Sequence, residues 1–65
     1  MITIEQAQDF DKQFFEGKFP YQRYGQAFCN FFNITCPELF YEENQKTAIF
    51  HAWLVFVDCT PLLEE

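Results

Sequence analysis

The sequence predicts an all-α fold, a small bundle of three to four helices packed around the C-terminal helix. Three observations carry this expectation. Apolar residues recur at three- and four-residue spacings in both halves of the chain. Helix-capping signatures stand ahead of three of these runs. The longest apolar run, residues 48–57, is too long and too continuous for an ordinary half-buried strand. With 65 residues, the chain is expected to form one domain, 1–65.

Thr3-Ile4-Glu5-Gln6 reads as a capping box, with Thr3 as N-cap and Gln6 reaching back. Ile4, Ala7, Phe10 and Phe14 then line one helical face, while Glu5, Asp9, Lys12 and Glu16 form a solvated stripe. Gly17 supplies the stop, and Pro20 forbids simple continuation. A second helix is expected over 21–32, with Tyr21, Tyr24, Ala27, Phe28, Phe31 and Phe32 at helical spacing and Asn33 ending it. Gly25 inside it costs about 1 kcal/mol relative to Ala, and permits another helix to come close.

Thr35-Cys36-Pro37-Glu38 reads as a second capping box ahead of a short helix over 37–42. Asn44 caps the last helix, over 45–58, which is apolar nearly all round, as a central helix should be. Its Val and Ile residues keep a strand as the alternative. Trp53 is placed in the core, its indole N–H partnered or at the boundary. Thr60-Pro61 ends the helix, and 61–65 reads as a loose tail.

Composition narrows the function. Ten Phe, three Tyr and one Trp accompany a net charge of −6. A chain this short buries only about 60% of its unfolded surface, so it has little interior for that many rings. The surplus points to a partner surface. Ten carboxylates against four cations oppose direct nucleic-acid binding and favour basic partners. No secretory leader or membrane-length apolar segment is read, and three Cys cannot pair completely within one chain. These features predict a soluble cytoplasmic protein with reduced thiols.

Reaction chemistry finds little support. The chain has no Ser, so a serine nucleophile is excluded. His51 could pair with Cys29, Cys36 or Cys59 on paper, but it sits in an apolar run where a core or boundary His is the usual occupant. The Cys spacing lacks the paired CxxC pattern of a zinc site, and Cys29 reads as a small hydrophobe. No Gly-rich phosphate loop is present. The expectation is no enzyme, no metal and no cofactor.

Recognition finds more. Gln22, Arg23, Gln26, Asn30 and Asn33 form a polar face on the second helix, which alone among the helices so drawn carries no carboxylate. Amides and Arg make directional hydrogen bonds suited to recognition. Tyr21 and Tyr24 adjoin that face, and Tyr and Arg are enriched at energetic centres of interfaces. Glu38, Glu42 and Glu43 form an acidic patch able to steer towards a basic surface. The expected partner-binding set is therefore Tyr21, Arg23, Tyr24, Gln26, Asn30, Glu38, Glu42 and Glu43. Adjacent rings at Phe14-Phe15, Phe31-Phe32 and Phe40-Tyr41 point about 100° apart, so some must leave the core. Leu54 and Val55 interrupt the polar stripe of the last helix, made of Thr47, His51 and Asp58.

The segment Tyr24-Gly-Gln-Ala-Phe-Cys-Asn-Phe-Phe-Asn-Ile34, followed by Pro37-Glu-Leu-Phe-Tyr41, resembles a run in small uncharacterised proteins of tailed bacteriophages. The resemblance covers about residues 24–41 and transfers no functional residue. It implies an accessory protein in the cytoplasm of a bacterial host, binding a host protein and modulating or inhibiting it by occlusion. A homo-oligomer, such as a homodimer, with aromatics buried between subunits is the alternative. Mimicry of nucleic acid by the acidic surface is a lesser one.

Overall fold

A computed structural model describes residues 1–58. It contains four helices: α1 (Ile4–Phe15), α2 (Tyr24–Phe32), α3 (Pro37–Phe40) and α4 (Gln45–Phe56). The bundle is all-α, as predicted, and the apolar run that could have been a strand lies in α4 up to Phe56.

The cap at α1 forms on both sides. The Gln6 N–H donates to Thr3 Oγ1 at 3.1 Å, and the Thr3 N–H donates to Gln6 Oε1 at 2.9 Å. At the other end Gly17 takes φ 85°, a left-handed conformation that only Gly adopts cheaply. Its N–H and that of Lys18 return to the carbonyls of Phe14 and Gln13, a Schellman closure. Asn33 closes α2 with φ 56°, its N–H and that of Ile34 both donating to the Cys29 carbonyl.

Helix α2 begins at Tyr24 rather than Tyr21. The reason is a turn: the Gln22 N–H donates to the Phe19 carbonyl at 3.2 Å, with Pro20 at the second position, where its fixed φ is favourable. Tyr21 is thereby left in the connection, and Arg23, extended at ψ 161°, becomes the N-cap. The expected capping box at Thr35 does not form. Cys36 precedes Pro37 and is held extended, so it serves as N-cap itself and Glu38 falls one position short of the box. The helix stops at Phe40, two residues early, and the Glu42 carboxylate instead accepts from the Asn44 N–H at 3.1 Å. Asn44 caps α4 through Thr47 N–H at 3.0 Å, as expected.

Helix α4 ends at Phe56, not Asp58. Val57 turns extended and forms an isolated parallel bridge with Ile2. The Ile2 N–H donates to the Phe56 carbonyl at 3.1 Å, and the Asp58 N–H donates to the Ile2 carbonyl at 2.8 Å. The bridge ties the segment before α1 to the end of α4. The expected stop at Thr60-Pro61 and the tail lie outside the described residues.

The helix in the middle is α2, which packs on α1, α3 and α4. It contributes Tyr24, Gly25, Ala27, Phe28 and Cys29 to the buried core, whereas α4 contributes only Ala48 and Ala52. The expectation of a central α4 fails because its fully buried residues are the small Ala48 and Ala52, while Ile49, Trp53 and Phe56 pack only partly against the core and Phe50, Leu54 and Val55 are exposed. Phe10 anchors the aromatic core, edge-on to Tyr24 and Phe28 at 5.4 Å each and close to Phe14, Phe19, Phe31 and Phe32. Such edge-on pairs add about 0.5–1.5 kcal/mol each beyond their buried area.

Candidate functional site

One polar node joins three helices in an otherwise apolar interior. The Asp11 carboxylate of α1 accepts a short hydrogen bond from the Tyr24 hydroxyl of α2 and one at 3.1 Å from the Trp53 indole N–H of α4. Burial, with the Asp11 acceptor and its charge reinforcing it, pushes the Tyr24 hydroxyl pKa far above the ordinary tyrosine range. Asp11 was overlooked in the sequence, although its signal was there. On the α1 wheel it falls between Ile4 and Ala7, a carboxylate inside the apolar face. Trp53 is half-buried against the core, with its N–H partnered.

Tyr24 therefore leaves the partner-binding set. It is 1% exposed, its ring packed on Phe10 and its hydroxyl committed to Asp11. The helical spacing that marked it as recognition material was the spacing of the core face. Tyr21, freed by the turn, is 96% exposed. Arg23 and Asn30 are also exposed, and Gln26 is half-buried. Beside them the Oε1 of Gln22 is buried with no hydrogen-bond partner.

Asn30 enters an open groove of about 280 Å³ with Ile34, Thr35, Cys36, Pro37, Phe40 and Tyr41. The structure thus joins the polar face of α2 to the α3 segment. Glu38 and Glu43 are exposed, while Glu42 is half-buried. The Glu38 carboxyl is held below its usual pKa by its own backbone N–H, then by the Cys36 thiol at 3.4 Å and the nearby His51. The Cys29 thiol is buried, and desolvation raises its pKa. Cys29 and Cys36 are free thiols, and Cys59 lies outside the described residues.

A second surface lies on the outer side of α4. Phe50, Leu54 and Val55 are 58%, 71% and 48% exposed. With Lys46, Thr47 and His51 they line an open groove of about 440 Å³. His51 stacks on Phe56 at 6.3 Å. At 100° per residue Phe50 and Leu54 lie on the side opposite Ala48 and Ala52, which are buried, while Val55 lies beside Ala48 on the wheel, near the end of the helix. Within its observed bounds α4 also carries no carboxylate, so the distinction expected for α2 alone belongs to both helices.

Among the described residues no group of three or more His, Cys, Asp or Glu is placed to hold a metal ion, and the ion pair found is Lys18–Glu16 at 3.9 Å. No helix among them is long and apolar enough to cross a membrane. Comparison with protein families, with curated proteins and with solved structures returns no match to this chain.

Proposed function

We propose that this chain is a small acidic protein-binding module that acts stoichiometrically, by covering a surface of its partner. One observation carries the reading. Phe15, Tyr21, Phe31, Tyr41, Phe50, Leu54 and Val55 all stand exposed on a chain of net charge −6. Phe50, Leu54 and Val55 line one groove, and contiguous exposed apolar surface of that kind marks contact sites. The phage-type resemblance makes a host cytoplasmic protein the partner, with modulation or inhibition by occlusion as the outcome.

The working surface in this reading is the α2 edge, Tyr21, Arg23, Gln26 and Asn30, with the α3 groove beside it. Tyr21 and Arg23 are the anchors, and Glu38, Glu42 and Glu43 steer approach to a basic surface. The test is direct titration of the partner captured from host lysate. Tyr21→Ala and Arg23→Ala should each weaken binding by about 2 kcal/mol, roughly 30-fold, with unchanged thermal melts. Neutralising the three glutamates should mainly slow association and flatten its salt dependence. Wild-type affinity from both folded anchor variants refutes this surface.

A further inference from the structure

We infer that the outer face of α4 is where two copies of this chain meet, in an antiparallel helix pair about a two-fold axis that crosses this face level with residue 52. This surface is separate from the α2 edge, and its occupant is a second copy. Three features support that choice.

The face matches itself. Leu54 lies at its centre, with Thr47, flanked by Phe50 on one side and by His51 and Val55 on the other. An isologous interface needs residue i to meet j while j meets i. Antiparallel pairing about that level satisfies this, because 50 and 54 are equally distant from 52. Phe50 of one copy packs on Leu54 of the other, twice over.

The charges also match. Lys46 stands at the start of α4 and is the only cation on it. The last turn of α4 carries no basic residue to balance its carbonyls. In the antiparallel pair each Lys46 lies beside the C-terminal end of the other helix, where a cation is favourable. The groove itself is lined by no carboxylate, despite the acidity of the chain. A basic partner would meet Lys46 and His51 here and find nothing to pair with.

The area sets the strength. The exposed parts of Phe50, Leu54 and Val55 with their flanks amount to on the order of 400 Å² per copy, about half the share of a standard interface. The dimer is therefore a weak, transient one, at the low end of interface sizes. Each copy carries −6, so added salt screens the repulsion between copies and tightens the dimer.

Sedimentation equilibrium of the 65-residue chain from about 10 μM to 1 mM tests this. The expected result is a reversible monomer–dimer equilibrium that tightens several-fold between 20 and 500 mM salt. Leu54→Glu should weaken it at least 10-fold with an unchanged circular dichroism spectrum, because Leu54 is 71% exposed. Register is read by cross-linking with a short bis-maleimide in a Cys36→Ala, Cys59→Ala background. His51→Cys should link copy to copy, its two sites lying about 3 Å apart along the axis. Lys46→Cys should not, its sites lying about 18 Å apart. A monomer at 1 mM, or a dimer indifferent to Leu54→Glu and linked equally through both sites, overturns the inference. Tyr21→Ala and Arg23→Ala should leave the dimer intact, so failure here is distinguishable from failure of the α2 surface.

Discussion

Gly25→Ala sets two effects of opposite sign against each other. By helix propensity alone, Ala in the interior of α2 should stabilise the domain by about 1 kcal/mol. The packing says otherwise. A Cβ at Gly25 would overlap the Leu39 carbonyl oxygen and come within 2.9 Å of its carbon and 3.3 Å of its Cδ1. The first two obstacles are backbone, so no rotamer change relieves them. Either α3 moves away from α2 or the chain strains. Overpacking of this kind costs about 1–3 kcal/mol, and more where backbone must move. With Leu39 itself fully buried, a shift of α3 also opens the core, so the upper part of that range applies.

The net expectation is a loss of about 2 kcal/mol. In a 60–100-residue domain that lowers Tm by roughly 10 °C. A domain of this size holds only about 3–5 kcal/mol from its core, so the variant should be partly unfolded near 37 °C. The assay is thermal and urea denaturation followed by helical circular dichroism. Gly17→Ala is the comparison: nothing lies within 4 Å of its Cβ, but φ 85° penalises any side chain, so a loss of about 1 kcal/mol is expected without any clash. A Gly25→Ala protein as stable as the wild type, or more stable, would refute the close α2–α3 approach.

Other consequences are testable in the same preparations. Asp11→Ala should cost about 2–3 kcal/mol by removing the acceptor that the Tyr24 hydroxyl and the Trp53 N–H share, whereas Tyr24→Phe should cost about 1 kcal/mol; equal losses would show the node is not shared. Because the folded pKa of Tyr24 is raised, its contribution is intact below the unfolded value near 10 and lost as pH rises past it. Stability should fall there by up to about 1.4 kcal/mol per pH unit, and Tyr24→Phe should remove that component in urea titrations between pH 9 and 11. Cys29, buried and with a raised pKa, should react with a thiol reagent far more slowly than Cys36 in a Cys59→Ala background; equal rates would mean the core opens readily there.

What was legible in the sequence was local. Thr3 with Gln6, Asn44, Gly17 and Asn33 each announce a helix end through one side chain or one dihedral preference, and each does so in the structure. Gly25 likewise marks a close approach, though not which helix approaches. Burial was less legible. Periodicity showed that Tyr21 and Tyr24 share a helical repeat, but only the Pro20 turn separates them, sending one to solvent and one to the core. The Asp11 node and the Ile2–Val57 bridge join residues 42 and 55 positions apart, and no local pattern encodes such pairs. Helix α4 was the hardest element, because a wheel apolar on every side does not say which side faces inward.

That ambiguity resolves in a particular direction. The α4 seam uses Ala48 and Ala52, whose small side chains let α2 come close. Phe50, Leu54 and Val55 are thereby left outside, where they support little of the fold. Folding alone would be served equally by polar residues on that side. Leu54→Lys tests this: at 71% exposure the change in stability should stay within about 0.5 kcal/mol, as for surface substitutions in general. A loss of 2 kcal/mol or more would place Leu54 in the core and remove the reason to seek a partner for this face. An unchanged melt leaves the apolar face as a feature that folding does not require, on a protein of net charge −6. Contact with a second copy of this chain is then the use we propose for it.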